Sequence, residues 1–372
     1  MALSKIDSDG IVSGGITADS LNIGQIGGRR NIVYNGAMNI WQRGTSADSA
    51  SNADYMCDRW LVSHSGLDGN VDWDQETSST PDGFGYALKI STDASETSLD
   101  AADTLFIRQK FEGQDLQQLQ KGTAGAKSLT LSFWVKSSVA STYTVELFDN
   151  DNTRIISKSY VINTADTWEF KTVVFEGDTT GALGNDNGDS LRLDFWIDAG
   201  SDYTSGTFST AWQANDNTER VYDTTGWLES TTPTFYITGV QLEVGSVATP
   251  FEHRSYGEEL AACQRYFWYK GYLNGVPQRF ANQVFSNYNS TDAYTSIKFP
   301  VQMRSTPSGT ASAIGGFAYY SANGSRTISS FNFQNGDQSA MQIRLNGSGF
   351  VEGYAGHLDA GSNGYMTFDA EL

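Results

Sequence analysis

The feature that most constrains the fold is an apolar period of two, recurring in short runs between clusters of Gly, Asn, Asp and Ser. Leu129, Leu131, Phe133 and Val135 alternate with Thr130, Ser132, Trp134 and Lys136, and Tyr143, Val145 and Leu147 alternate with Thr144 and Glu146. Trp168, Phe170, Thr172 and Val174 repeat the scheme, as do Leu191, Leu193, Phe195 and Ile197. Successive side chains of a strand point to opposite faces, so each run predicts a strand with one face packed on a second sheet. Trp134, Phe148, Phe175 and Trp196 stand in the other phase, which implies that parts of the outer faces are covered by loops or by another chain. Residues 31–44 and 234–256 look like the first and last strands of one such sandwich.

The expectation is therefore an all-β chain. A jelly-roll-like β-sandwich occupies 31–255, a short linking helix 256–271, and a smaller β-rich domain 272–372. Residues 1–30 hold six glycines, scattered aliphatics and no aromatic residue, too little for a core. They are either a flexible tail or a docking and trimerisation segment that orders against sister chains. Gln114 to Lys121 is a short helical insert closed by Gly122. Leu260, Cys263 and Phe267 follow a helical spacing, with Glu258 and Glu259 at its start and Arg265 and Lys270 at its end, as a helix dipole favours. Alternation resumes at Ile297, Phe299, Val301 and Met303, at Met341, Ile343 and Leu345, and at Met366, Phe368, Ala370 and Leu372. That last run needs a neighbour to pin it.

Charge narrows the partners. The chain carries 24 Lys+Arg against 43 Asp+Glu, a net −19. Residues 256–372 hold 7 and 8 of these, leaving 17 and 35, a net −18, for residues 1–255. Such a field opposes nucleic acid, which needs clustered cations. No apolar run approaches the roughly 20 residues of a membrane helix, and Met1-Ala-Leu-Ser-Lys-Ile-Asp lacks the apolar core of a signal peptide. Cys57 and Cys263 make no disulfide framework or metal spacing and are expected as free, buried thiols. His64, His253 and His357 have no ligand partners at motif spacing, and neither a phosphate loop nor a nucleophile elbow occurs. The expectation is no enzyme, although a glycosidase pair of carboxylates is defined only in three dimensions.

Two groups of residues are candidates for binding. Tyr203, Trp212, Tyr222 and Trp227 lie in a polar stretch without strand alternation. Their rings either stack on the apolar face of a pyranose, or anchor a long loop on the sandwich or between subunits. Asp149 and Asp151, with Asp186 and Asp189, gather hard oxygen ligands suited to Ca2+; Asx-rich turns are the alternative. Otherwise no cofactor is expected. Trp41, Trp60 and Trp134 lie in strand-like contexts and are expected in the core.

Three pieces carry a family resemblance. The first is Arg30-Asn-Ile-Val-Tyr-Asn-Gly-Ala-Met-Asn-Ile-Trp-Gln-Arg-Gly-Thr45 with Asp58-Arg59-Trp60. The second is Leu129-Thr-Leu-Ser-Phe-Trp-Val-Lys-Ser137 with Phe235-Tyr-Ile-Thr-Gly-Val-Gln-Leu-Glu-Val-Gly245. The third is Glu259-Leu-Ala-Ala-Cys-Gln-Arg-Tyr-Phe267 with Phe299-Pro-Val-Gln-Met-Arg-Ser-Thr-Pro307. In this order they resemble bacteriophage tail-fibre and related virion appendage proteins. The resemblance implies a homotrimeric virion structural protein, made in the host cytoplasm without a signal peptide and carried in the tail. It would dock to other tail or baseplate proteins through its N-terminal segment and attach to a host-surface glycan or envelope protein, with no membrane insertion. The central domain is also similar to carbohydrate-binding jelly rolls, whose last strand often carries an acidic pair at a structural calcium. Thr238 and Gly239 stand at that place, so that ion does not carry over. The rival expectations are an architectural baseplate or adaptor protein without receptor contact, and a capsule depolymerase.

Overall fold

The computed structural model describes residues 29–273, 276–277, 283–322, 324–361 and 363–372. Apart from Arg29 and Arg30, the expected docking segment 1–30 lies outside the described residues. The chain is all-β, as its alternation predicts, and it divides into two compact units. The first comprises Met1–Asn39, Ser46–Asp54 and Trp60–His253; the second comprises Ile40–Thr45, Tyr55–Arg59 and Arg254–Leu372. Short pieces of the Asn31 to Trp60 region thus belong to the second unit.

In chain order the first unit contains β1 (Ser46–Ala47), β2 (Leu61–Ser65), β3 (Val71–Glu76), β4 (Ala87–Thr92), β5 (Thr104–Glu112), β6 (Leu129–Ser137), β7 (Thr142–Asp149), β8 (Arg154–Val161), β9 (Glu169–Phe175), β10 (Asp189–Ala199), β11 (Gln213–Ala214) and β12 (Thr234–Val244). Among the described residues these form two six-stranded antiparallel sheets, β1-β3-β4-β12-β6-β9 and β11-β8-β7-β10-β5-β2. Their inner faces interdigitate as a sandwich core: Phe133 lies 5.0 Å from both Phe195 and Tyr160, and Tyr143 lies 5.7 Å from Phe235. Leu131, Phe133 and Val135, Val145 and Leu147, and Leu193, Phe195 and Ile197 are fully buried, in the expected phase. Burial of this apolar area is the main stabilising term.

Three expectations need correction. In β9 the buried residues are Val173 and Phe175, while Phe170 is 49% exposed. Trp168 and Phe170 therefore open onto the outer face, opposite to the phase read from alternation. The insert after β5 forms two 3-10 turns, Gly113–Asp115 and Gln117–Leu119, instead of one helix. The segment before β1, expected as the first strand, bonds to β12 but is not a regular strand. Ile32 N donates to Leu242 O at 2.8 Å and Val240 N to Gly36 O at 2.9 Å, while the buried Asn31 side chain bridges the gap, donating to Val240 O and accepting from Leu242 N.

The second unit begins with a helix at Tyr256–Gln264, started by a reciprocal capping box between Ser255 and Glu258. The helix stops at Gln264, short of the expected 271, because Phe267 to Leu273 enter a sheet. The strands are β13 (Phe267–Leu273), β14 (Val276–Pro277), β15 (Val284–Asn287), β16 (Asp292–Lys298), β17 (Ser308–Ala311), β18 (Phe317–Ser321), β19 (Gly324–Gln334), β20 (Ala340–Ser348), β21 (Ala355–Ala360) and β22 (Tyr365–Asp369). They make a four-stranded sheet, β14-β13-β22-β17, and a closed barrel, β15-β16-β20-β19-β18-β21. One core serves both, joining Met366 and Phe368 to the barrel residues Ile297, Tyr319, Ile343 and Leu345. The final residues are pinned, as their pattern requires. Arg304 Nε donates to Ala370 O at 2.7 Å and its Nη2 to Glu371 O at 2.8 Å, and Glu371 pairs with the buried Arg59 and with Arg43. Cys57 and Cys263 are buried free thiols. No described helix is long and apolar enough to cross a membrane.

Candidate functional site

The stretch after β10 folds back over the outer face of the β7-β10-β5 sheet. Its anchor is Asp198, a fully buried carboxylate at the end of β10. Asp198 Oδ1 accepts from Thr224 Oγ1 at 2.8 Å and Thr225 N at 2.9 Å, and Oδ2 accepts from Leu228 N at 3.0 Å. Several N–H and O–H donors converging on one carboxylate keep it satisfied out of water. A second clamp is Arg220, whose Nε donates to Glu146 Oε2 at 2.9 Å while Nη2 lies 3.6 Å from Asp194 Oδ2. Asp194 is in turn held bidentately by Arg108, with both bonds at 2.6 Å. Burial pushes the Glu146 carboxyl up, and Arg220 opposes this. Burial would lower the Arg220 pKa, but Glu146 and Asp194 outweigh it and raise it.

This covering explains most of the loop aromatics. Trp227 is fully buried, so its indole has no face to offer a sugar, and the expectation of stacking is corrected for it. Tyr203 packs on the small cluster of Phe106, Trp196 and Val221, its ring 5.4 Å from Trp196. Trp212 is half-buried and donates Nε1–H to Glu176 O at 2.7 Å. Tyr222 alone of the four is largely exposed, at 51%, with its ring perpendicular to that of Phe208 at 5.5 Å. The four rings thus meet different partners, and three of them help to fasten the loop.

The acidic candidates also turn inward. Asp149 is fully buried and accepts from Lys121 Nζ and from Asn152 N and Nδ2. Asp189 Oδ2 takes Arg192 Nε at 2.8 Å. Asp151 accepts from Gly184 N and Asp186 from Gly188 N, each at 2.8 Å. Lys121 and Arg192 already neutralise Asp149 and Asp189, and among the described residues no group of three or more His, Cys, Asp or Glu could hold a metal ion. The donor set does not fit a resident calcium; it fits turns closed by Asx side chains.

The opposite outer face, on β3-β4-β12-β6-β9, is arranged differently. Register places Asp74, Lys89, Tyr236 and Lys136 in one row across four strands, and Trp134 beside Phe170 in the next. Trp134 is half-buried on this face and not in the core as expected; its ring lies 5.4 Å from Phe170. Lys136 Nζ sits 4.0 Å over Tyr236 and 5.3 Å from Trp168, whose Nε1 is fixed by Ser79 O at 2.8 Å. Burial lowers the Lys136 pKa against the pull of Glu76 and Asp166. Beyond Trp134 lies Phe84, with Phe251 at 5.0 Å and His253 at 5.5 Å. Gly239 in β12 makes this possible. Its φ is +62°, and a Cβ there would come within 2.7 Å of Phe84 and 3.1 Å of Trp134. The result is a ring-bearing surface carried by β6, β9 and β12 together with the loop residues Phe84 and Trp168, edged by Lys89, Lys136 and Asp74. Its signal in the sequence was the wrong-phase Trp134, together with Phe170 out of step with Val173 and Phe175.

No family model matches the chain, and no curated protein matches its sequence. Solved structures show partial likeness. The enzymatically active domain of bacteriophage CBA120 tailspike protein 4 is similar over 57% of this chain and 21% of that one, with 14% identity and a TM-score of 0.32. This chain thus spans about a fifth of that structure's length. A CBM4 structure is similar over 56% of this chain and 97% of its own, with 15% identity and a TM-score of 0.31. The family 11 carbohydrate-binding module of a Clostridium thermocellum cellulosomal cellulase is similar over 56% of this chain and 98% of its own, with 12% identity and a TM-score of 0.27.

Proposed function

We propose that this chain is a non-enzymatic virion appendage protein of the tail-fibre kind, acting as a homotrimer that attaches to a host-surface glycan through its sandwich. The observation that carries the glycan reading is the open aromatic face around Trp134, Phe170, Trp168 and Tyr236. Rings on a sheet cannot collapse away from a ligand, and an apolar platform edged by Lys and Asp side chains suits the C–H face and the hydroxyls of a pyranose. The virion setting rests on the three sequence motifs given above. Three linked copies would raise weak single-site affinity by roughly 10²–10⁴.

The test is a glycan array probed with the full chain, alongside adsorption blocking by the purified protein. Binding that Phe170→Ala weakens roughly tenfold supports the reading. Silence in both assays favours an architectural role in the tail, and clearing halos on a host lawn would make the protein a depolymerase instead.

A further inference from the structure

One end of the barrel exposes rings that folding would ordinarily hide. Tyr288 is 68% exposed and Tyr354 54%, and Val351, three residues before Tyr354, is also exposed. Tyr288 follows β15 and Tyr294 lies in β16; their rings stand perpendicular, with centroids 5.8 Å apart. Together with Ser286, Gln342 and Glu352 they line an open cavity of about 550 Å³, within the usual size range of small-ligand sites.

The frame around this corner is fixed. Asn287 is buried and fully committed. Its Nδ2 donates to Ser321 Oγ at 2.7 Å and Val351 O at 3.0 Å, and its Oδ1 accepts from Tyr319 OH at 2.6 Å. Asn287 N donates to Tyr354 O at 2.9 Å, and Gly353 N to Asn287 O at 3.1 Å. The turn that presents Glu352 is thereby stapled to the end of β15. Across the strand pair from Tyr294, Arg344 is paired with Asp292 Oδ1 at 2.9 Å. The lining offers ring faces, an amide, a hydroxyl and a carboxylate, and no cation.

We propose that this corner is a second saccharide-binding site, specific for a neutral or N-acetylated pyranose. One sugar face would rest on a tyrosine ring while Glu352 accepts a hydroxyl or amide hydrogen and Gln342 Nε2 donates to a hydroxyl oxygen, Gln342 Oε1 being already taken by Gln334 and Asn335 at 2.9 Å each. A carboxylated sugar would meet Glu352 without a compensating cation and is excluded by charge. The site uses no residue of the sandwich face, so either can exist without the other.

Saturation-transfer NMR on the full chain tests this, with N-acetyllactosamine as the neutral probe and sialic acid as the anionic one. Tyr288→Ala should weaken N-acetyllactosamine binding at this site roughly tenfold, Glu352→Gln should weaken it less, and Phe170→Ala should leave this component unchanged. A response lost in Phe170→Ala but intact in Tyr288→Ala overturns this site and leaves the sandwich reading standing. No response to the neutral probe at millimolar concentration, or stronger binding of sialic acid, also overturns it. So does a drop in oligomeric state of Tyr288→Ala by light scattering, which would give the rings to a second copy of the chain.

Discussion

The two outer faces of the sandwich carry the same kinds of residue to opposite ends. On β7-β10-β5 the outward positions hold Phe106, Phe148 and Trp196 with Arg108, Glu146 and Asp194, and the chain between β10 and β12 roofs them over. On β12-β6-β9 the outward positions hold Tyr236, Trp134 and Phe170, and Phe170 is left half exposed. The difference lies in how charge is placed. Arg220 reaches over Phe148 and Trp196, with its guanidinium 5.2 and 4.9 Å from their rings, and seals the first face by pairing with Glu146. Lys136 lies over Tyr236 on the second face and donates to Ser79 Oγ at 3.3 Å, a tie that leaves Phe170 half exposed. An outward aromatic residue is therefore left open only where the segments fastened across its face do not reach it.

The comparison breaks most readily at Arg220. Removing it leaves Glu146, wholly buried, without its partner, and one-sided loss of a buried pair costs about 3–5 kcal/mol. Arg220→Ala should lower the unfolding free energy of the sandwich, read from urea titration, by that amount, while Arg220→Met combined with Glu146→Leu should recover most of it. A loss below about 1 kcal/mol would mean that the roof is held by packing alone, and the contrast between the faces would lose its electrostatic basis.

A related contrast separates the two units in acid. In the second unit Asp58 is buried, and burial pushes its carboxyl up to about 6 from an ordinary 3.8, even though Arg43 and the Gln42 N–H groups pull it down. The folded state then holds the proton more tightly than the unfolded state. Stability from this group is fully present below pH 3.8 and is lost as pH rises through 6, by at most about 3 kcal/mol. In the sandwich Glu169 behaves oppositely. Burial acts to raise it, but Lys171, Asn163 and the Thr164 N–H hold it down to about 2. Its contribution is present above 4.5 and is lost as pH falls towards 2. Relative to wild type, Asp58→Asn should therefore gain stability between pH 4 and 7. A difference independent of pH breaks the assignment.

Much of the sandwich was legible because burial enforces alternation. Leu131, Phe133, Val145, Leu193 and Phe195 could occupy only one face. The phase failed at β9, where Trp168 and Phe170 are as apolar as core residues but serve the outer surface; hydrophobicity alone does not say which side of a sheet is covered. In sequence the roof has the marks of a candidate site, polar and rich in Tyr and Trp, yet Trp227 is buried in the turn that Asp198 organises through Leu228, 30 residues on. The acidic clusters misled for a similar reason. Lys121, which neutralises Asp149, lies 28 residues away and comes to it only through the sheet. The barrel corner was invisible because Tyr288, Tyr294 and Glu352 meet only when β15, β16 and β21 close.

The open face gives a smaller effect on stability and a larger one on binding. Phe170→Ala removes a ring that is half in water, so unfolding should shift by no more than about 1 kcal/mol, whereas glycan affinity should fall roughly tenfold. A stability loss as large as that of Arg220→Ala would place Phe170 among structural residues.

Tyr222 is the sharpest control because it is exposed like Phe170 but belongs to the covered face. Its backbone is fixed, with N donating to Thr144 Oγ1 at 3.0 Å, and among the aromatic contacts described its ring meets only Phe208. Truncation removes little buried area and no charged partner, so Tyr222→Ala should change stability by about 0.5 kcal/mol or less and leave glycan affinity within twofold. The two measurements, calorimetry and array titration, separate exposure from function. If Tyr222→Ala weakens binding as much as Phe170→Ala, the roof is itself part of the recognition surface, and the covered face carries a ligand after all.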